Sequence, residues 1–175
     1  MQKKSRDLFR YERKFILDSY LINSIEDLKN FSIGNIYEIY DSRTINSIYL
    51  DYDNLSFAKE NINGISNRRK IRIRYYGCSK YLDSPRLEIK VKFGNIGNKD
   101  LYAIDKDELY KNKFSIGFIE AVANNKSLAN EIVNLLKPKL IISYQRKYFL
   151  SQCRRFRFTL DNNINFKIFD LNDIN

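Results

Sequence analysis

Basic residues recur at every second position in two stretches of this chain: Arg68, Lys70, Arg72 and Arg74 in one, and Arg86, Lys90 and Lys92 around Glu88 in the other. Alternate residues of a β-strand share a face, so each stretch would hold a row of positive charge. Like charges side by side repel, and a bound polyanion removes that penalty. Arginine forks grip two oxygens of one phosphate, and lysine adds a movable point charge, which together suit a chain of phosphoryl groups. Two carboxylates lie among these bases, in Glu12-x-Lys14 and Glu88-x-Lys90. Structurally they balance neighbouring charge; functionally they are candidates to hold Mg²⁺ or Mn²⁺ against phosphate oxygens. Phosphoryl transfer needs positioning and charge compensation more than a reactive side chain, so a chain without histidine can support it.

The same rows have a plainer explanation, the solvated outer face of an antiparallel sheet, and for any one strand that explanation suffices. It weakens as the pattern repeats. The net charge of +10 over 175 residues also favours an anionic partner, although the abundance of Ile, Asn, Lys and Tyr is a compositional bias that accounts for part of the lysine content. Two cysteines, Cys78 and Cys153, and no histidine exclude a disulfide framework and a cysteine/histidine zinc site. No apolar run approaches the roughly 20 residues of a membrane span, and the N-terminus lacks a signal-peptide core, so a cytoplasmic location is expected. There is no Gly-rich phosphate loop, no dinucleotide-binding pattern and no nucleophile–base pair.

A single domain covering residues 1–175 is expected from the length, of α+β class. Phe9 to Phe15 alternates as a strand, and Leu17, Leu21, Ile22, Ile25 and Leu28 recur at helical spacing to about Asn30. Ile45 to Tyr52 reads as a strand, Leu55 to Ile62 as a short element before a turn at Asn63-Gly64. Arg68 to Tyr76 and Arg86 to Phe93 form an antiparallel pair, joined by a loop at Cys78 to Ser84. Asp105 to Lys113 and Gly117 to Leu136 read as helices, stopped by Pro138. Leu140 to Leu150, Arg154 to Asp161 and Ile164 to Phe169 follow as strands, the last two joined through Asn162-Asn163 as a hairpin turn.

In order along the chain, Arg10-Tyr11-Glu12-Arg13-Lys14-Phe15, Ser47-Ile48-Tyr49-Leu50-Asp51, Arg69-Lys70-Ile71-Arg72-Ile73-Arg74-Tyr75-Tyr76-Gly77, Leu87-Glu88-Ile89-Lys90, Tyr144-Gln145-Arg146-Lys147-Tyr148-Phe149 and Arg157-Phe158-Thr159-Leu160-Asp161 resemble the VTC polyphosphate polymerase domain, of the triphosphate tunnel metalloenzymes. The resemblance implies a tunnel-shaped, CYTH-like antiparallel β-barrel with flanking helices. It implies that Lys14, Arg72, Arg74, Lys90, Arg146 and Arg157 bind phosphate, with Lys92 and Lys99 as further basic candidates. Arg72, Arg74, Lys90, Arg146 and Arg157 are the residues expected to act in catalysis, and Glu12 and Glu88 are the metal candidates. VTC domains continue into a further strand with the principal metal-binding glutamate, and then a helix, for which this sequence shows no counterpart.

The implied activity is transfer of the terminal phosphate of ATP to a growing polyphosphate chain, with Mn²⁺ or Mg²⁺. ATP and polyphosphate are the expected partners, together with a membrane-associated protein. Two alternatives share the tunnel: a non-catalytic polyphosphate-binding module and a tripolyphosphate hydrolase. Nucleic acid, held by a diffuse basic surface with aromatic stacking, is the rival from composition and is not the expected partner.

Overall fold

The computed structural model describes residues 13–17, 35–77, 83–94, 96–105, 107 and 136–170. Six strands form one antiparallel sheet: β1 (Ile36–Asp51), β2 (Asn67–Tyr76), β3 (Asp83–Phe93), β4 (Ile96–Ala103), β5 (Lys137–Ser151) and β6 (Arg157–Ile168), in the spatial order β4-β3-β2-β1-β5-β6. One helix, α1 (Ser56–Ile62), joins β1 to β2. The expected barrel is not closed: among the described residues β4 and β6 are the outer strands of an open sheet.

Period-two alternation decides which face is dry. Ile48 and Leu50 of β1, Ile71, Ile73 and Tyr75 of β2, Leu87 and Ile89 of β3 and Ile141 of β5 gather with Phe57 of α1, Ile104 and Leu136 into one core. Ile48 and Leu87 are wholly enclosed, and each such side chain contributes about 1.5–3 kcal/mol by leaving water. Burying this face fixes the register, since a slip of one residue would turn every basic side chain into the core.

Asp51, at the end of β1, anchors α1. Its Oδ1 accepts the amides of Tyr52 at 2.8 Å and Phe57 at 3.0 Å, and its Oδ2 accepts that of Ala58 at 2.9 Å. Two amides of the helix's first turn thereby find a partner. Asn63 closes the helix and Gly64 turns the chain at φ +66°, a conformation open to glycine. The turn expected at Asn63-Gly64 is present.

Other elements depart from the sequence reading. β1 begins nine residues before the expected start at Ile45, and its early part carries register shifts against β5 around Tyr40, which blur the alternation. β4 was not anticipated, because Ile96–Ala103 has little apolar alternation; it is held as an outer strand by pairing with β3. Asp83 and Ser84 belong to β3 and not to the preceding loop. Pro138 lies within β5, near its start and two residues ahead of the expected strand start at Leu140; the helix it was expected to end lies, apart from Leu136, outside the described residues. The hairpin expected at Asn162-Asn163 is absent: β6 runs unbroken from Arg157 to Ile168 along β5, and Asn163, at φ 51°, marks a register shift between Ser143 and Gln145. Asparagine tolerates the left-handed conformation that a bulge requires as well as one in a turn. Residues 13–17 adopt no regular secondary structure, and the rest of the expected first strand, the first helix, and nearly all of the helical segment from 105 to 136 lie outside the described residues.

Candidate polyanion-binding face

The face opposite the core carries the charge. Cross-strand pairing sets Arg72 opposite Glu88 and Tyr49, Arg74 opposite Arg86 and Ser47, Lys70 opposite Lys90, and Arg68 opposite Lys92. On the far side of β1, Tyr144 stands opposite Ile45, and Arg146 lies between Arg43 and Asp161. The two alternating rows identified in the sequence are therefore neighbours in space, and β5 adds a third.

Glu88 organises the centre. Its Oε2 accepts from Arg72 Nε at 2.8 Å and pairs with Nη2 at 2.6 Å, while its Oε1 meets Arg74 Nη1 at 3.4 Å. Burial alone would raise the Glu88 carboxyl, but the Arg72 and Arg74 charges outweigh it and hold the group below its ordinary range. Arg72 completes its set by donating from Nη1 to the Tyr49 hydroxyl at 2.9 Å. Burial opposes its charge, and the neighbouring Tyr49 and Glu88 reverse that effect, so the guanidinium stays charged.

Arg74 is held more loosely. Its Nη2 reaches the Tyr144 hydroxyl at 3.5 Å, and its buried Nε has no hydrogen-bond partner among the described residues. Long contacts and an orphan donor leave this guanidinium free to exchange partners when an anion arrives. Tyr144 is raised above the ordinary phenol value by burial, against the pull of Arg74 and Arg146, so it remains a neutral phenol, and its oxygen accepts from Arg74. The Arg146 guanidinium lies 5.1 Å from the centre of the Tyr144 ring and forks onto Asp161, Nε to Oδ1 and Nη2 to Oδ2, both at 2.6 Å. The hydrogen bonds to Asp161 raise the Arg146 pKa further, despite partial burial.

A continuous polar network thus runs from Glu88 through Arg72, Arg74, Tyr144 and Arg146 to Asp161, spanning β3 to β6. Lys90 lies on the same face, exposed, two residues from Glu88; Lys92 lies one pair further along and is partly covered. Lys99 pairs with Lys90 and acts electrostatically on Glu88. Lys14 is exposed and close enough to influence Lys70. Arg157 shares the face but stands opposite Leu150, four residues along β5 from Arg146, or about 13 Å at strand rise. The fold therefore assembles Arg72, Arg74, Lys90 and Arg146, and leaves Arg157 apart. Glu12 lies outside the described residues.

Sequence reasoning missed Arg43, which faces Arg146 across β1 and β5, and singled out neither Tyr49 nor Tyr144 as an arginine partner. Arg43 precedes the strand start expected from hydrophobic pattern. A phenol at alternate spacing is indistinguishable in sequence from a packing tyrosine.

Among the described residues no group of three or more carboxylate or cysteine side chains is gathered to hold a metal ion. Both oxygens of Glu88, and both of Asp161, are engaged by guanidinium groups. These carboxylates, already engaged, do not fit a divalent cation as arranged.

Among the described residues the antiparallel sheet has one dry face and one basic face, on which arginines are paired with carboxylates and Lys70, Lys90 and Lys99 make no ion pair. The VTC domain family model matches residues 9–173. The chain belongs to the VTC domain family, and with that membership comes a polyphosphate-related function. No curated protein matches it. Among the described residues, no helix is long and apolar enough to cross a membrane.

Proposed function

We propose that the protein is a polyphosphate polymerase, transferring the terminal phosphate of ATP to the end of a polyphosphate chain held across the basic face. The observation that carries this reading is the assembly of Arg72, Arg74, Lys90 and Arg146 on one face within a VTC-family chain. An oxygen of the polyphosphate end attacks the γ-phosphorus of ATP; the bond to the β–γ bridging oxygen breaks, and ADP leaves with that electron pair. Charge accumulates on the transferring group and the leaving oxygen, where arginine and lysine donors stabilise it most. Arg74, with its orphan Nε, is the guanidinium best placed to follow that charge, while Arg72 and Arg146 keep their carboxylate partners and fix the site's shape.

The full chain is incubated with ATP and Mn²⁺ or Mg²⁺, and polyphosphate is measured. Accumulating polyphosphate with stoichiometric ADP supports the proposal; intact ATP overturns it. The engagement of Glu88 and Asp161 by arginine favours one second reading, a module that binds polyphosphate without consuming ATP. Under it, polyphosphate binds in a salt-sensitive manner while ATP stays intact. Orthophosphate released from tripolyphosphate would instead identify the hydrolase.

A further inference from the structure

Charge on the basic face is neutralised unevenly. Arg72 and Arg74 share Glu88, and Arg146 has Asp161. The lysines on the other side of Glu88 have no such partner among the described residues. Lys70 of β2 stands directly opposite Lys90 of β3, which stands directly opposite Lys99 of β4. Three ammonium-bearing side chains thus occupy one line across three adjacent strands, and none makes an ion pair among the described residues. The nearby carboxylates are committed elsewhere: Glu88 to the arginines, and Asp51 to three backbone amides. Asp100, opposite Ile89, belongs to the other face.

We propose that Lys70 is an anion-binding residue which, with Lys90 and Lys99, forms a lysine subsite for the continuing phosphates of a chain whose other part lies on the arginines. This rests on the polyphosphate reading of the same face and identifies which part of it discriminates by ligand length. Directly opposed like charges destabilise a sheet, so an unliganded protein carries this row at a cost that a bound anion removes. Desolvation by its surroundings lowers the Lys70 pKa, and Lys14, Lys90 and Arg68 lower it further, against the opposing effect of Tyr49. The row crosses two inter-strand spacings, about 10 Å in all. A single orthophosphate meets only part of it, whereas a linear polyphosphate runs along it.

The test compares Lys70→Gln, Lys70→Arg and Lys59→Gln in the full chain, Lys59 being an exposed lysine of α1 away from this face. Binding of inorganic tripolyphosphate and of orthophosphate is measured at fixed ionic strength, with the melting temperature of each unliganded variant. Lys70→Gln is expected to weaken tripolyphosphate about tenfold and orthophosphate about twofold or less, while Lys70→Arg stays near wild type and Lys59→Gln changes little. Its unliganded melting temperature should equal or exceed that of wild type, because a repulsion is removed. Wild-type binding of tripolyphosphate that Lys70→Gln leaves unchanged overturns the role of Lys70 alone. A lowered unliganded melting temperature in Lys70→Gln overturns it also, by showing a structural lysine. A wild type that binds no polyanion overturns the function proposed above, and this subsite with it.

Discussion

Replacing Glu88 with glutamine separates an arginine-organising carboxylate from a metal ligand. Glu88 is only 6% exposed and is shared by two guanidinium groups that are themselves largely enclosed. Removing one partner of a buried pair costs about 3–5 kcal/mol when the remaining charge is stranded. Here the loss is smaller. Glutamine keeps a carbonyl acceptor for Arg72, Tyr49 still accepts from that guanidinium, and both arginines retain some access to water. A destabilisation of about 2–3 kcal/mol follows, which for a chain of this size lowers the melting temperature by roughly 5–10 °C. The pH dependence carries the same signature. Because the folded pKa of Glu88 is depressed, its contribution is complete above the unfolded carboxyl value and disappears as pH falls through the lower folded value, so wild type and Glu88→Gln should converge in acid. Tripolyphosphate should raise the melting temperature of the variant more than that of wild type, since an anion can replace the missing negative charge. Thermal unfolding by circular dichroism, with and without tripolyphosphate, measures both effects. A variant as stable as wild type without anion would refute the organising role.

Arg74→Ala should reduce tripolyphosphate affinity by tenfold or more with little loss of stability, because its protein contacts are long; calorimetry and thermal unfolding check the two halves. Arg146→Lys should lower affinity although charge is kept, since lysine cannot reproduce the two 2.6 Å bonds to Asp161, and a rescue to wild-type affinity would contradict this. Asp51→Ala should destabilise by about 2–3 kcal/mol in urea titration, through three amides left without their acceptor. Asp53, hydrogen-bonded to Lys137 and Lys139, is lowered from 3.8 to about 2, so its carboxyl should titrate near 2 by NMR and move back towards 3.8 in Lys137→Gln. Any stability it lends is present above 3.8 and fades as pH falls towards 2; full exposure keeps it small and screened by salt.

The site was legible in sequence wherever alternation was strict. Ile71, Ile73 and Tyr75 are buried, and Arg72 and Arg74 turn away from them, as period two requires. The pairing of Glu88 with Arg72 was also within reach, because two adjacent alternating strands must align some carboxylate with some base. Register decides which one, and register depends on the whole sheet. Legibility failed where the backbone leaves the regular pleat. The shifts near Tyr40 hid the first nine of the sixteen residues of β1 and with them Arg43, and the shift near Asn163 made one strand look like two. Asparagine with positive φ serves bulge and hairpin alike, and only the partner strand tells them apart. β4 escaped because an outer strand with a largely exposed surface needs no hydrophobic pattern; its hydrogen bonds to β3 suffice.

The distribution of carboxylates explains why so basic a sheet can fold before it meets a ligand. Arginine, whose fork matches a carboxylate, is placed beside Glu88 and Asp161 at Arg72, Arg74 and Arg146, and these pairs neutralise part of the face from within. Lysine, whose point charge matches any geometry equally, is left without an ion-pair partner among the described residues at Lys70, Lys90 and Lys99. An anion arriving at the lysines meets charge that no described carboxylate pairs with, whereas at Arg72 or Arg146 it must compete with a short ion pair. Binding should therefore begin on the lysine row and extend to Arg74, whose orphan Nε and long contacts make it the easiest arginine to recruit. Ligand and fold are then coupled: at a concentration 100 times the dissociation constant a bound anion adds about 2.7 kcal/mol of stability. Glutamine at Lys70 should reduce that increment at a given ligand concentration, and glutamine at Lys59 should leave it intact.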